Sequence, residues 1–324
     1  MPTRANASSW RPRRRKSSTT GNGVRLLSEV TAALNDGRAV VALESSVLAQ
    51  GLPDPSNREA DRRMRSAIRE RGAVPAITGI VRGVPAAGLD DADRERFLSR
   101  SGVAKVSARD IPWAMARGLD GATTVAASLC ICANAGISVF ATGGIGGVHR
   151  ASPGAPLDES ADLLELSRSS VVTVCAGAKS ILDLPATVER LETLGITVVG
   201  FRTNEFPGFF TAATGLKVGA VAESAGQIAE AFRAARKLGR PGALLVVQPP
   251  PRDAALDARL VEEAVSKALT AASTAGIVGA ALTPFLLAEV ERATGGRSLS
   301  ANLALLEANA ALAAEIAVAL ADSR

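Results

Sequence analysis

The chain has few of the residues on which several kinds of binding site depend. Its 324 residues include no Tyr, two Trp and eight Phe, and aromatic residues make up only 3% of the sequence. Proteins that bind single-stranded nucleic acid stack the bases on aromatic side chains along a basic groove. The body of the chain shows no basic surface interleaved with aromatics, so nucleic-acid binding by that part is not expected.

Cysteine is also scarce. Cys130, Cys132 and Cys175 are an odd number, lie in apolar surroundings and lack the Cys-x-x-Cys spacing. A disulfide framework or a zinc site is therefore not expected, and the three residues are interpreted as small core residues. Cys175 precedes Lys179 by four positions, and the alternative interpretation is that it lines a pocket.

Long apolar runs are missing as well. The longest are strand-sized or interrupted by charge, which predicts no transmembrane helix, and the N-terminus lacks the apolar core of a secretory signal. We therefore expect a cytoplasmic protein. A length of 324 residues with 47% hydrophobic content is enough to bury a large core.

The formal charge of +5 comes from the first residues. Residues 1–23 contain six cations and no acid, and without them the body carries a charge of about −1. Their Ser, Thr, Asn and Gly content predicts a disordered basic tail that could touch acidic partners. The cations are Arg4, Arg11, Arg13, Arg14, Arg15 and Lys16.

From Val24 onward, short apolar runs alternate with helical patterns, which predicts an α/β fold with a sheet covered on both faces. No repeat or long linker divides residues 24–324, so one domain is expected. The predicted strands are 39–43, 74–81, 103–106, 137–141, 171–175, 197–200 and 243–247. The predicted helices are 28–35, 56–71, 110–117, 123–135, 158–167, 181–194, 224–238, 254–275, 283–294 and 298–320.

Lys179 follows one of these strands, in the stretch Val-Cys-Ala-Gly-Ala-Lys. Small residues before it leave space for a ligand, and desolvation that lowers the pKa of such a lysine makes it a nucleophile able to form an imine. The alternative is a solvated lysine at the start of a helix.

A second glycine-rich stretch follows the strand at 137–141 and reads Thr142-Gly-Gly-Ile-Gly-Gly-Val-His149-Arg150. Glycines allow backbone N–H groups to approach phosphate oxygens, and the three polar side chains add donors, which predicts an anion cradle. The stretch has neither the Lys-Ser/Thr of a P-loop nor the spacing of a dinucleotide fingerprint.

Ligands of open α/β sheets bind beyond the carboxyl ends of the strands. This rule brings Glu44, Lys105, His149 and Lys179 to one edge and predicts a joint site with acid, base and anion donors. Each residue also has an alternative, purely structural interpretation. Glu44 could cap Ser45-Ser46, Lys105 could be a surface charge and His149 could hydrogen-bond in a turn.

Asp158 and Asp162 come shortly after the glycine-rich loop, four positions apart. Asp158 is expected to be a helix N-cap with Asp162 in the first turn. Alternatively, Asp162 points inward and holds Mg²⁺ or Mn²⁺ through water.

Eight stretches, taken in order, resemble the pseudouridine-5′-phosphate glycosidase family, and the resemblance covers residues 24–320. The glycine-rich loop and the Cys-Ala-Gly-Ala-Lys block are its most specific parts. The stretches are Ala-Leu-Glu-Ser-Ser at 42–46, Lys-Val-Ser-Ala-Arg-Asp at 105–110, Asp-Gly-Ala-Thr-Thr-Val-Ala-Ala at 120–127, the loop at 140–150, the lysine block at 175–183, Glu-Phe-Pro at 205–207, Thr-Pro-Phe-Leu-Leu at 283–287 and Ser-Leu-Ser-Ala-Asn at 298–302.

The resemblance implies a three-layer α/β/α sandwich around a mixed, largely parallel sheet, assembled as a homotrimer with Mn²⁺ or another divalent cation such as Mg²⁺ near the site. It implies cleavage of the C–C glycosidic bond of pseudouridine 5′-phosphate to uracil and ribose 5-phosphate. A carbon leaving group is not expelled by protonating a glycosidic oxygen, so ordinary two-carboxylate chemistry does not suffice.

The residues that match the family's site each receive a role from the resemblance. Lys179 would form the imine with the ring-opened sugar, and Glu44 would move protons at the sugar ring oxygen and the uracil. Lys105 and His149 would assist ring opening or bind the sugar phosphate. Further expected contacts are Asp162 for the metal, Asn302 for the uracil edge, and Thr124, Thr142, Gly143 and Gly144 for the phosphate.

The sequence departs from the usual family pattern at Gln50, where His is common, and at Asn204 and Gln248. These changes concern substrate recognition rather than the chemistry. Two alternatives remain: a C-glycosynthase of a natural-product pathway, which forms the same kind of bond to another aromatic acceptor, and a non-catalytic phosphosugar- or RNA-binding protein that uses its basic tail.

Overall fold

A computed structural model describes residues 18–20, 22–150, 158–277 and 282–322. Its strands are β1 Ser18–Thr19, β2 Arg25–Leu26, β3 Val40–Leu43, β4 Val74–Val81, β5 Val84–Ala87, β6 Val103–Val106, β7 Asp120–Thr123, β8 Val139–Ala141, β9 Val148–His149, β10 Val172–Cys175, β11 Leu182–Asp183, β12 Thr197–Phe201, β13 Ala220–Ala222 and β14 Leu244–Val247. Its helices are α1 Ser28–Asn35, α2 Ser56–Glu70, α3 Asp91–Leu98, α4 Ile111–Ala116, α5 Val125–Ala135, α6 Ala161–Arg168, α7 Leu184–Thr193, α8 Ala225–Lys237, α9 Ala258–Thr274, α10 Leu282–Ala293 and α11 Arg297–Ala321, with a π-helical turn at Val47–Gly51.

One twelve-stranded sheet organises the chain, in the order β1-β2-β5-β4-β3-β8-β10-β14-β12-β13, with β7 pairing to β4 and β6 to β7. In this spatial order, the neighbouring strands from β4 through β3, β8, β10, β14 and β12 to β13 pair parallel. Strands β5 and β7 pair antiparallel to β4. Helices cover both faces, which confirms the expected three-layer fold around a mixed, largely parallel sheet.

The central strands are buried along their whole length, because β3, β8, β10 and β14 are runs of Val, Leu, Ala, Phe, Thr and Cys covered on both faces. Leu43 of β3 pairs with Ala141 of β8, and Ala141 with Val174 of β10. This register brings the residues that follow these strands to the same edge of the sheet.

Helix α11 contacts β3, β8 and β10 and packs against α2 and α8. Among the described helices, it alone is long and apolar enough to cross a membrane. The apolar runs of the sequence predicted no such helix. Half of its most apolar window is buried within the protein. Its apolar composition is therefore accounted for by its position in the core.

The seven predicted strands and ten predicted helices are all present, with ends that differ by up to four residues. Helix α3 was missed because its sequence, DADRERFL, is mostly charged and shows no apolar period. Strand β1 pairs antiparallel with β2 and lies inside the stretch expected to be disordered. Residues 1–17, with all six cations, lie outside the described part of the chain.

Candidate active site

Two adjoining cavities lie at the carboxyl edge of the parallel strands. The first has a volume of about 340 Å³ and a mainly apolar lining, whereas the second, of about 150 Å³, is lined mostly by polar residues. Residues that line both cavities mark where they meet: Glu44, Ser46, Lys105, Lys179 and Thr283. The structure brings the predicted residues Glu44, Lys105, His149 and Lys179 to this edge, where His149 lines the second cavity.

Lys179 is held in place through its backbone. Its N–H donates to the Ile145 carbonyl at 3.2 Å, and the Ile145 N–H donates to the Gly177 carbonyl at 3.0 Å. Among the described residues, none forms a hydrogen bond or an ion pair with the Lys179 amine. The amine is therefore available to react with a ligand at the junction of the two cavities.

The small residues before Lys179 serve packing rather than ligand space. Ala176 and Ala178 are fully buried, and Gly177 has a φ of +80°. A Cβ on Gly177 would overlap the Pro207 carbonyl oxygen. Only glycine combines this backbone conformation with so close an approach.

Glu44 is 8% exposed, and two hydroxyl groups orient its carboxylate. Ser46 Oγ donates to Oε2 at 2.5 Å, and Thr142 Oγ1 donates to Oε1. A carboxylate fixed in this way beside an amine can carry protons to and from a reacting molecule. Thr142, expected to contact phosphate, is instead a partner of Glu44 and lines neither cavity.

Lys105 has a pKa below its ordinary value. The main cause is that the surrounding protein limits hydration of its amine, and the nearby positive charge of Lys179 lowers the pKa further. The carboxylates of Glu44 and Asp162 act in the opposite direction. The pKa of Lys105 thus depends on three neighbouring charges at the site.

Several N–H groups of the glycine-rich loop, which was expected to form an anion cradle, bond within the protein. The N–H groups of Ile145, Gly146 and Val148 donate to protein oxygens, and Gly143 and Gly144 line the apolar cavity rather than the polar one. A Cβ on Gly144 would lie 2.5 Å from the Phe209 ring. The glycines allow close packing around the site.

Two other expected phosphate donors have structural partners. Thr124 caps α5 by accepting from the Ala127 N–H at 3.4 Å, although it also lines the polar cavity. Arg150 pairs with Glu262 at 2.5 Å and donates to two backbone carbonyls. The polar cavity itself is lined by Ser107, Thr124, Gly146, His149, Ser160 and Asp162, among others.

Asp162 is 6% exposed, and both carboxylate oxygens accept backbone N–H groups, from Ala126 at 3.0 Å and from Gly146 at 2.8 Å. Contrary to expectation, Ser160 rather than Asp158 caps α6, and Asp158 faces His149 at 3.9 Å. The described residues contain no group of three His, Cys, Asp or Glu able to hold a metal. A buried carboxylate in a polar cavity fits a divalent cation that keeps most of its water.

The apolar cavity contains an aromatic pair that the sequence analysis did not predict. Phe209 and Phe210 pack edge to face with ring centroids 4.6 Å apart, and Phe209 has a φ of +64°, which is strained for a bulky residue. Gln50 also lines this cavity. The sequence signal for this aromatic pair is the Phe-Pro-Gly-Phe-Phe run at 206–210, because the chain has only eight Phe.

Asn302 lines the apolar cavity from α11, and its Oδ1 is buried without a hydrogen-bond partner among the described residues. About two turns further along the same helix, Asn309 donates to the carbonyls of Thr142 and Gly143 and accepts from Gln248. Gln248, one of the departures from the usual family pattern, therefore supports the glycine-rich loop through Asn309. Asn204, another departure, is exposed and lines neither cavity.

Cys175 is fully buried and lines neither cavity, and burial raises the pKa of its thiol to about 12. The three cysteines are free. Their interpretation as core residues holds for Cys132 and Cys175, while Cys130 is partly exposed.

Comparison with known proteins identifies relatives along nearly the whole chain. A family model described as indigoidine synthase A like protein matches residues 29–319. The pseudouridine-5′-phosphate glycosidase of Gemmatimonas aurantiaca is 64% identical over 298 residues, which are 92% of this chain and 96% of that protein. The enzyme of the same name from Herpetosiphon aurantiacus is 50% identical over 92% of this chain and 98% of its own length.

Two solved structures share the fold. The prealnumycin C-glycosynthase AlnA, in complex with ribulose 5-phosphate, is 40% identical with a TM-score of 0.85, covering 93% of this chain and 97% of that one. An indigoidine synthase A-like protein from Thermotoga maritima is 39% identical with a TM-score of 0.81, covering 88% and 94%.

Proposed function

This chain belongs to the indigoidine synthase A-like family together with pseudouridine-5′-phosphate glycosidases, and we propose from this premise that it is such a glycosidase. It cleaves the C–C glycosidic bond of pseudouridine 5′-phosphate to uracil and ribose 5-phosphate. The names of its relatives, up to 64% identical, support this substrate.

The observation that carries the proposed mechanism is the position of Lys179 between two unlike cavities. The polar cavity, with His149 and Asp162, suits a sugar phosphate. The apolar one, with Phe209 and Asn302, suits a planar base. The bond to be broken joins these two parts of the substrate, and the amine lies where they meet.

We propose covalent catalysis through an imine. In the first step the C1′–O4′ bond breaks, O4′ takes the electron pair and a proton, and the Lys179 nitrogen bonds to C1′. In the second step the bond from C1′ to C5 of the base breaks. The nitrogen lone pair then forms the C=N bond, while C5 takes the released electron pair and a proton. Water finally hydrolyses the imine and releases ribose 5-phosphate.

Glu44 is placed to carry the protons of these steps between the Lys179 nitrogen, O4′ and C5. Ser46 and Thr142 hold its carboxylate in one orientation, which is what proton transfer at a fixed position requires. Lys105 and His149, which line the polar cavity, would bind the phosphate or assist ring opening.

A divalent cation, Mn²⁺ or Mg²⁺, is proposed to bind beside Asp162. When bound it supplies positive charge next to the phosphosugar. The buried carboxylate, with each oxygen oriented by one backbone N–H, supports this assignment.

A homotrimer in the cytoplasm remains our prediction for the assembly and its location. Exposed apolar side chains on and near α4 support association with other subunits, because such residues cluster at protein interfaces. They are Val84, Trp113, Met115 and Leu119.

A C-glycosynthase activity is the second candidate, because AlnA shares the fold at 40% identity. Identity to the glycosidases is higher, at up to 64%, and favours bond cleavage. A purely binding role would leave the available amine and the oriented carboxylate without a use.

Borohydride trapping tests the mechanism. Incubation with ribose 5-phosphate and borohydride is expected to leave a reduced adduct on Lys179 in a peptide map. Lys179→Ala is expected to lose this adduct and to lower kcat/KM for pseudouridine 5′-phosphate at least about a thousandfold. Lys267→Ala, at an exposed position of α9, is the matched control and should keep both. Turnover that survives in Lys179→Ala would contradict the imine.

A further inference from the structure

One acceptor in the apolar cavity is not used by the protein. Gln50 lies in the π-helical turn Val47–Gly51, and its Nε2 donates to the Val103 carbonyl at 3.2 Å. Its Oε1 is buried and has no hydrogen-bond partner among the described residues. A buried carbonyl oxygen without a partner costs free energy, which a ligand that brings a donor recovers.

The contact with Val103 fixes the orientation of the Gln50 amide. Exchanging its nitrogen and oxygen would place two carbonyl oxygens against each other. The group of Gln50 that is fixed in place and lacks a partner is therefore an acceptor, Oε1. Asn302 differs, because no described residue holds its amide nitrogen, so that it can offer a donor and an acceptor together.

The position of Gln50 indicates which part of the substrate it meets. It lines the apolar cavity together with Phe209, Phe210 and Leu299, and it does not line the polar cavity. The ligand donor is therefore expected on the base rather than on the phosphosugar. The donors of a uracil ring are its N–H groups.

We propose that Gln50 accepts a hydrogen bond from N1–H of the C5-linked uracil. This inference rests on the proposed function. N3–H lies between two carbonyl groups, so its edge needs a partner that also donates, as Asn302 can. N1–H lies between one carbonyl and C6–H, and an acceptor alone suits it. An N-linked uracil has no N1–H, so Gln50 would distinguish the C-nucleotide from its N-linked isomer.

Methylated substrates test the assignment. Gln50→Met removes the acceptor and keeps a side chain of similar length. Loss of one hydrogen bond between neutral groups is expected to lower kcat/KM about five- to tenfold for pseudouridine 5′-phosphate and for its 3-methyl derivative, which both carry N1–H. For the 1-methyl derivative the variant and the wild type should have equal kcat/KM, because that substrate has no donor to lose.

Gln227→Met, at an exposed position of α8, is the matched control and should behave as the wild type with all three substrates. Trapping of ribose 5-phosphate on Lys179 should survive in Gln50→Met, which also shows that the variant folds. An equal loss with all three substrates, or a loss that disappears only with the 3-methyl derivative, would overturn the assignment to N1–H. A loss of trapping would place Gln50 at the sugar. A wild type without glycosidase activity would instead refute the proposed function.

Discussion

Two amines line the junction of the cavities, and the charge of Lys179 lowers the pKa of Lys105. The pKa of Lys105 is lowered chiefly by limited hydration and next by the charge of Lys179. A lysine with a lowered pKa loses its proton at a lower pH than an ordinary exposed lysine. Lys105 therefore has a larger neutral fraction at a given pH than an ordinary lysine, which would suit it to exchange protons in the proposed ring opening.

Removing the charge of Lys179 should reverse part of this shift. In Lys179→Met the pKa of Lys105 is expected to rise, so that its labelling by an amine-selective reagent begins at a higher pH than in the wild type. Glu44→Gln should move the labelling midpoint to lower pH, because the carboxylate raises the pKa of Lys105. Peptide mapping of labelled Lys105 across a pH series measures both shifts. With Lys267→Met as control, unchanged midpoints in both site variants would show that Lys105 is not coupled to these groups.

At the level of single residues, the sequence predicts which chemical groups meet but not how their hydrogen bonds are distributed. Lys179, Glu44, Lys105 and His149 follow strand ends, and the sheet brings strand ends together. Thr142 shows the limit, because its hydroxyl bonds to Glu44, 98 positions earlier in the chain. No spacing rule predicts such a pairing. The glycine-rich loop is a second case, because the N–H groups of Ile145, Gly146 and Val148 donate to protein oxygens that its sequence does not indicate.

Among the elements around the site, the segment that carries Lys179 and the segment at 205–211 form one hydrogen-bonded unit. The Phe209 N–H donates to the Ala176 carbonyl at 2.9 Å, and Ser180 Oγ donates to the Gly208 carbonyl at 2.7 Å. Gly177 and Gly208 form an antiparallel bridge. The ring of Phe209 and the amine of Lys179 are consequently positioned by the same set of contacts.

Gly177→Ala is expected to break this unit. The new Cβ meets the Pro207 carbonyl at a positive φ, so the left-handed conformation and the overlap together should lower the free energy of unfolding by about 2–5 kcal/mol. Gly239→Ala is the control, because Gly239 has a φ of +70° and open space, and it should cost only about 1–2 kcal/mol. Urea unfolding measures both values. Equal losses in the two variants would mean that the contact with Pro207 has no energetic weight.

The sheet and its helices were predictable because their apolar periods are strong. Strands β3, β10 and β14 are buried on both faces and read as unbroken apolar runs. Short elements escaped, since β7, with the sequence DGAT, has no such run, and its pairing with β4 and β6 is a long-range effect. The pairing of β9 with β11 was not predictable either, because each of these strands has only two residues.

Over the whole molecule, the basic N-terminal stretch contributes none of the described residues that line the two cavities. Both cavities are lined by residues from Glu44 onward, and the described chain joins the sheet at Ser18. The six cations therefore have no described contact with the proposed chemistry.

Deletion of residues 1–17 is expected to leave kcat/KM for pseudouridine 5′-phosphate unchanged. Any association with RNA should be lost, and in the full chain that association should weaken steeply as salt rises, because it depends on charge. Steady-state kinetics and binding measured at two salt concentrations test the two halves. A marked fall in turnover on deletion would assign the stretch a part in the site.

The last helix, α11, is part of the core and also forms part of the wall of the apolar cavity. Its Asn302 and Asn309 are about two turns apart on one side, so the helix that packs against β3, β8 and β10 also supports the glycine-rich loop and lines the apolar cavity. Mutational change along this helix would therefore be constrained by foldability as well as by recognition. Under the proposed function, changes of base preference are expected to arise more readily at Gln50 of the π-helical turn, which lines the same cavity and is not part of the hydrophobic core.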